Sequence, residues 1–170
     1  MKIARQSRKH APGHGEAVIL LTVGEQKFAA PAAEVDEIRD LNGIDPIESL
    51  TQRTSVSKVI GTLQRAHRAY YVVDAARHFR VRGLNAARLL LLRGRPVAVR
   101  VDSIDRMAEI GKTLPLPNAL RGEERRWYRG LVLIEEQVVP VLQMSSFLTA
   151  AEQVVVKATL ARRPGTGVPA

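Results

Sequence analysis

The sequence predicts a mainly all-β protein made of two small five-stranded barrels that are related by an internal duplication and packed together. Two observations lead to this prediction. Short apolar segments alternate with turn residues along most of the chain, and the second half repeats the first at a nearly constant offset of 69 residues. Five short strands with tight turns bury their apolar side chains only when the sheet curls onto itself, so a pair of barrels is the simplest solution.

The repeat is clearest where glycine meets glycine and proline meets proline. Gly61 corresponds to Gly130 in the register that also matches the aliphatic positions. The further pairs are Phe28 with Val97, Ala30 with Val99, Val35 with Ile104, Ile38 with Met107, Pro46 with Pro115, Leu63 with Val132, Val72 with Val141, Val73 with Leu142 and Phe79 with Leu148. Only the first hairpin slips, by one residue, so that Gly24 matches Gly94.

Each half is predicted to contain five strands. In the first half these are AVILLTV, QKFAA, AEVDEIRDL, KVIGTL and AYYVVD, and in the second half RLLLLR, PVAVRV, DSIDRMAEI, GLVLIE and QVVPVL. AEVDEIRD is also compatible with one helical turn, because Val35 and Ile38 are spaced i, i+3; SIDRMAEI shares this ambiguity, and we favour strands for both. AARHF and QMSSFLTAAEQ are predicted to be helical, and the second ends the ordered chain.

These elements set the domain boundaries. We expect a basic, disordered N-terminal tail over residues 1–15 and a domain over 16–150, with the first barrel at about 16–82 and the second at about 86–150. Residues 151–170 are expected to form a C-terminal tail. The tail sequences HAPGHGE and ARRPGTGVPA are rich in proline and glycine and show no sustained periodicity.

The net charge of +9 is unevenly distributed along the chain. Residues 53–100 contain eleven Lys or Arg against Asp74 alone, whereas residues 16–52 contain two bases against eight acids. Such segregation favours steering toward a protein partner with a complementary patch. Aromatic residues make up only 4% of the chain, which disfavours stacking on nucleic-acid bases. Nucleic-acid binding through the basic 53–100 segment remains the less favoured alternative.

Several other classes of function find no support in the sequence. The chain has no cysteine, which excludes disulfides and thiolate chemistry, and it has no span as long and apolar as a membrane helix, so we expect a cytoplasmic protein without membrane insertion. We expect no catalytic residue, cofactor, metal or small-molecule substrate. Asp102, Asp105 and Glu109 have no nucleophile tied to them. Trp127 and Tyr128, in a basic loop, are either an interaction anchor or a cap on a barrel.

The order of VILLTVGEQKFAAPAAEVDEI, IGTLQRAHRAYYVVDAARHF, RPVAVRVDSIDRM, LPLPN and GLVLIEEQVVPVL resembles the CheW-like domain of bacterial chemotaxis adaptors. The resemblance covers roughly residues 16–150. Its strongest elements are Val35, Glu37 and Ile38, then Val101, Asp102 and Ile104, then Gly130, Pro140, Val141 and Leu142.

This resemblance implies two intertwined SH3-like five-stranded barrels with a short C-terminal helix, and a scaffold that is not an enzyme. One barrel face would dock the regulatory domain of a CheA-type histidine kinase, and a groove between the barrels would take the helical cytoplasmic tip of a chemoreceptor. Related adaptors serve type IV pilus signalling arrays. By position, the implied groove residues are Val35, Glu37, Ile38, Gly61, Leu63, Val101 and Ile104. Taken singly, the aliphatic members are as well explained as core residues.

The sequence departs from the family pattern within IGTLQRAHRAYYVVD. The family usually shows a pattern such as G-V-I-N-L-R-G-x-V-x-P-V-V-D, in which the arginine contacts the receptor; here Ala66 stands at that arginine and His67 at the glycine after it. Arg65 or Arg68 is expected to supply the guanidinium instead. Without the glycine, we expect the turn either to avoid positive φ or to place it on His67. A divergent adaptor with a partner other than a receptor therefore stays open.

Overall fold

The computed structural model describes residues 15–48 and 56–162. Within these ranges the chain forms eleven strands and two α-helices. They are β1 (Glu16–Val23), β2 (Gln26–Pro31), β3 (Val35–Arg39), β4 (Ile44–Pro46), β5 (Val59–Arg65), β6 (Arg68–Asp74), α1 (Ala75–Phe79), β7 (Arg88–Leu92), β8 (Val97–Val101), β9 (Ser103–Ile110), β10 (Tyr128–Ile134), β11 (Gln137–Leu142) and α2 (Ala150–Ala161). The mainly β fold with a short C-terminal helix is thus confirmed, and both ambiguous segments form strands.

The two halves of the chain exchange strands. One sheet has the order β3-β7-β8-β6-β5-β4 and the other the order β10-β11-β2-β1-β9. We call them the first and the second barrel, although strand pairing closes neither sheet into a ring in the part of the chain described. Each barrel takes its β1–β2 or β7–β8 hairpin from the other half, which is the intertwined arrangement that the resemblance implies. Each sheet therefore contains strands from the range 16–82 and strands from the range 86–150.

Each barrel has its own interior, and a third cluster lies between the sheets. The interior of the first barrel is formed by Leu63, Tyr70, Val72, Leu89, Leu91 and Ala98. The interior of the second is formed by Val18, Leu20, Ala29, Ile110, Val132, Val139 and Val141. The central cluster takes side chains from both sheets and includes Phe28, Phe79, Trp127 and Phe147. Because strands from both halves line every cluster, the halves are held together by buried apolar surface.

Gly61 and Gly130 have the same structural role, which supports the duplication. Each lies at a register shift, in β5 and β10 respectively. A Cβ atom on Gly61 would lie 2.5 Å from the Asp45 carbonyl oxygen, and one on Gly130 would lie 2.7 Å from the Leu114 carbonyl oxygen. In both barrels a second backbone segment passes over the strand at this point, and only glycine leaves room for it.

In the first hairpin the register of the repeat shifts by two residues, whereas the sequence predicts a shift of one. Leu20 pairs with Ala29, and its structural counterpart is Leu91, which pairs with Ala98. A slip of one residue would place Leu90 there, but Leu90 faces the central cluster. Side chains alternate between the two faces of a strand, so a slip of two keeps every apolar side chain on its own face while a slip of one reverses them all.

Helix α2 continues beyond Gln153, where the sequence predicts that order ends. Its first turn is fixed by a capping box between Thr149 and Glu152. Val156, in the middle of the helix, is fully buried in the central cluster. The stretch assigned to a tail from residue 151 therefore begins as a packed helix, while residues 1–14 and 163–170 of the two predicted tails lie outside the described residues.

Candidate partner-binding surfaces

Glu37 and Arg65 meet across the open side of the first barrel. Arg65 donates from Nε and Nη2 to the two carboxylate oxygens of Glu37, both at 3.2 Å. Glu37 lies on the edge strand β3 and Arg65 at the end of β5, strands that share no backbone pairing in the described sheet. This bidentate pair fixes the direction of the guanidinium. Arg65 is thus already engaged by the protein itself.

The predicted aliphatic groove residues divide into two groups. Val35, Leu63 and Val101 are at most 2% exposed and belong to the interior clusters. Ile38 and Ile104 are half-buried and pack against the central cluster from outside. The first group is therefore inside the protein in this conformation, and of the aliphatic residues only the second group has side-chain surface to offer a partner.

The β5–β6 turn places its positive φ on Ala66, at 52°. The prediction that the turn avoids positive φ or places it on His67 is therefore wrong. A two-residue hairpin loop matches the twist of its strands when the first loop residue has positive φ, with or without the second. In the second barrel the equivalent residues, Glu135 and Glu136, have φ values of 49° and 65°. Both turns thus use the left-handed region without a glycine.

Two basic turns lie side by side at one end of the first barrel. Strands β6 and β8 run parallel, and Tyr71 N–H donates to the Pro96 carbonyl at 2.8 Å, which brings the β5–β6 and β7–β8 turns together. A cleft of about 310 Å³ separates them, and another of about 330 Å³ lies on the far side of the β5–β6 turn. The lining residues of the first cleft are Arg68, Ala69, Tyr70, Gly94, Arg95 and Pro96. Sequence reasoning named Arg65 and Arg68 but missed Arg95.

An apolar patch lies on the outer face of the second barrel. Leu133 and Val138 form a cross-strand pair and are 64% and 62% exposed. The neighbouring pair of Leu131 with Pro140 is half-buried and extends the patch along the edge strand β10. Sequence reasoning did not identify this patch, because GLVLIE is apolar on both faces and its alternation gives no direction.

Asp102 and Trp127 have structural roles. Asp102 Oδ2 accepts hydrogen bonds from the backbone N–H groups of Gly24 and Leu84, at 2.7 and 3.0 Å, and so holds the β1–β2 turn against the connection into β7. Trp127 is 5% exposed and packs edge-on against Phe79. Trp127 is part of the central cluster between the sheets, so it is a buried core residue and not a cap on either barrel interior.

A buried polar group joins α2 to the rest of the fold. Lys58 Nζ lies 3.2 Å from His78 Nδ1 and 3.0 Å from Glu152 Oε1. Because an ammonium group only donates, Nδ1 accepts and the imidazole proton is on Nε2. Burial, then the charges of Lys58 and Arg80, lower the pKa of His78 from 6.5 to about 3. The ring is therefore neutral and anchors the lysine that binds the helix.

The described residues contain no group of three or more His, Cys, Asp or Glu side chains placed to hold a metal ion. Among them there is also no helix of the length and apolar character needed to cross a membrane.

These features define a mainly β domain built from two strand-exchanged units, with candidate partner surfaces of different chemistry. The sequence model of the CheW-like domain matches residues 17–152, and the chain belongs to this family. Among solved structures it is similar to the scaffolding protein TtCheW from Thermoanaerobacter tengcongensis, with a TM-score of 0.68 and 11% identity over 81% of this chain and 95% of that chain. No curated protein matches the sequence.

Proposed function

We propose that this protein is a non-enzymatic adaptor in bacterial signal transduction, which couples a CheA-type histidine kinase to chemoreceptors or to a pilus-type array. Membership of the CheW-like family supports this function. The observation that carries it is the presence of two surfaces of different chemistry on different barrels. An adaptor needs two such surfaces, because both partners must be bound at the same time.

The kinase contact is assigned to the patch around Leu133 and Val138. A regulatory domain that is homologous to this chain would present its own small barrels, and barrel-to-barrel contacts rely on apolar side chains surrounded by polar ones. Two large side chains exposed by more than 60% on a regular sheet face provide such a centre. Charged residues beside the patch, Glu135 and Glu136 at the turn, would form its rim.

The receptor contact is assigned to the β3 edge of the first barrel and to Ile104, which lies on β9 of the other sheet. Ile38 and Ile104 provide half-buried apolar surface, and Glu37, Arg65 and Arg68 provide charge beside it. An amphipathic helix binds by burying an apolar stripe with polar groups at its margins, which this arrangement matches. Gly61 keeps β4 close to β5 and so shapes the edge without contacting the partner.

Calorimetry with the purified regulatory domain of the cognate CheA-type kinase tests the proposal. We expect binding, and we expect Leu133→Ser to weaken it about five- to thirtyfold, since truncating an apolar anchor that the partner buries costs about 1–2 kcal/mol. The matched control is Val154→Ser on α2, where the side chain is 66% exposed and outside the patch; its affinity should equal that of the unaltered protein.

Absence of binding at a protein concentration of about 50 µM would contradict the adaptor function, since that limit corresponds to a weak interaction. If Leu133→Ser leaves the binding intact, the adaptor function stands and the assignment of the kinase contact to this patch is rejected.

A second candidate function is a divergent adaptor whose partner is not a conventional receptor. One observation favours it: Arg65, the arginine nearest the family position, is held by Glu37.

A further inference from the structure

The two turns at the basic end of the first barrel carry five cationic or titratable side chains. We define this basic end by Arg65, His67 and Arg68 on the β5–β6 turn and by Arg93 and Arg95 on the β7–β8 turn. In sequence the two turns are far apart, and the parallel pairing of β6 with β8 makes them neighbours. Such a concentration of charge at one end produces a positive potential that attracts an acidic partner.

Only part of this charge is neutralised within the protein. Arg65 binds Glu37, and Arg93 binds Asp36 through Nε at 2.7 Å. Arg68 and Arg95 are exposed and have no ion-pair partner among residues 15–48 and 56–162. The unpaired arginines thus come one from each turn.

The two unpaired arginines flank the cleft of about 310 Å³ between the turns. Tyr70, Gly94 and Pro96 also line the cleft, and a Cβ atom on Gly94 would meet nothing within 4 Å. A carboxylate entering the cleft can therefore be met by a guanidinium on either side. Guanidinium groups bind planar carboxylates through two parallel hydrogen bonds.

Resting on the adaptor function proposed above, we propose that the basic end docks an acidic segment of a partner protein, with Arg68 and Arg95 as the binding arginines. This arrangement replaces the single arginine of the family pattern, whose place is taken by Ala66. The charge has moved to the two sides of the cleft, and one of its two sources is the β7–β8 turn from the other half of the chain.

The observations favour a protein segment over nucleic acid. Asp36 and Glu37, on β3, lie beside the basic end in contact with Arg93 and Arg65, and they would disfavour a continuous line of phosphates there. The one aromatic ring in the cleft, Tyr70, is 7% exposed and offers no face for base stacking. Separate carboxylates on a peptide can avoid the two acids, whereas a phosphate backbone cannot.

Fluorescence anisotropy with a labelled octaglutamate peptide tests the proposal, at about 20 mM salt so that surface charges are weakly screened. We expect the double variant Arg68→Gln/Arg95→Gln to bind about tenfold more weakly, from the loss of two charge-assisted contacts. The control is Arg121→Gln/Arg126→Gln, which removes the same charge from exposed positions ahead of β10. It should change the affinity by less than about twofold.

Three results would overturn the proposal: no binding of octaglutamate to the unaltered protein, an equal loss in both double variants, or tighter binding of a 16-base-pair DNA duplex that depends on Arg68 and Arg95. The last would identify a phosphate surface instead.

A titration with the kinase regulatory domain separates failure of the basic end from failure of the adaptor function. The Arg68→Gln/Arg95→Gln protein should bind that domain normally. If the unaltered protein binds the kinase domain but not octaglutamate, only the proposal for the basic end is rejected. If it binds octaglutamate but not the kinase domain, only the adaptor function is rejected.

Discussion

Lowering the pH should destabilise the protein through His78. This ring is 4% exposed, its Nδ1 accepts from Lys58, and its pKa is lowered to about 3. In the unfolded chain the pKa returns to 6.5. The unfolded state therefore binds a proton first, so the contribution of neutral His78 to stability is complete above pH 6.5 and is lost progressively as the pH falls from 6.5 toward 3.

The size of the effect follows from this window. Each pH unit below 6.5 removes about 1.4 kcal/mol until the folded pKa is reached, so at pH 5 the loss is about 2 kcal/mol. Urea unfolding at pH 7.5 and pH 5 measures it as a change in the free energy of unfolding. Replacing His78 with Gln keeps an acceptor for Lys58 and removes the titration, so the variant should lose about 2 kcal/mol less than the unaltered protein over the same range.

His67 provides the matched control, because it is exposed on the β5–β6 turn. At pH 7.5 the free energy of unfolding of His67→Gln should equal that of the unaltered protein, which shows that a His→Gln change is itself without cost at an exposed position. Equal pH dependence in the unaltered and His78→Gln proteins would refute the reasoning. If His78→Gln does not fold, an NMR titration of the unaltered protein decides the question: its His78 imidazole should stay neutral at pH 5, and a resonance that titrates near 6.5 would show that the ring is not held by Lys58.

Two further predictions concern the backbone of the first barrel, and urea unfolding measures both. Gly61→Ala should destabilise by about 1–3 kcal/mol because its Cβ atom would overlap the Asp45 carbonyl; Gly111→Ala, with open space around it, is the control, and equal losses would contradict the close approach. Ala66→Gly should stabilise by about 0.5–1 kcal/mol because it relieves the positive φ. Ala69→Gly, on the adjoining strand, should destabilise instead, because glycine raises the entropy of the unfolded chain; stabilisation by both variants would contradict the explanation from positive φ.

The duplication could be read from the repeat because some of its residues cannot be replaced without moving the backbone, whereas the exchange of strands between the halves was implied only by the family resemblance. A glycine overlapped by a crossing segment cannot become another residue without moving the backbone, so Gly61 and Gly130 keep the register of the repeat visible. The slip at Leu20 was misjudged for the opposite reason. A run of adjacent leucines matches at any offset, and only the pairing partners tell which leucine faces which interior.

The candidate surfaces were harder to predict because they are assembled from distant segments. The resemblance pointed to Glu37 and Arg65 separately, but their contact depends on how the sheet curls. Arg95 joins Arg68 only through the parallel pairing of β6 with β8, which no local pattern encodes. Leu133 is hidden in a strand that is apolar on both faces, so its exposure becomes evident only when the interior is known.

The duplication also explains how one fold presents two candidate surfaces of different chemistry. Leu133 and Val138 form a cross-strand pair in the second barrel, and Gln64 and Ala69 form the equivalent pair in the first. The turns that follow differ as sharply, since arginines flank the β5–β6 turn whereas the β10–β11 turn is acidic. If the proposed adaptor function holds, opposite charge and unequal apolar area would make each partner unfavourable on the wrong barrel. Equivalent backbones with divergent side chains would then give the proposed adaptor a fixed orientation between its two partners.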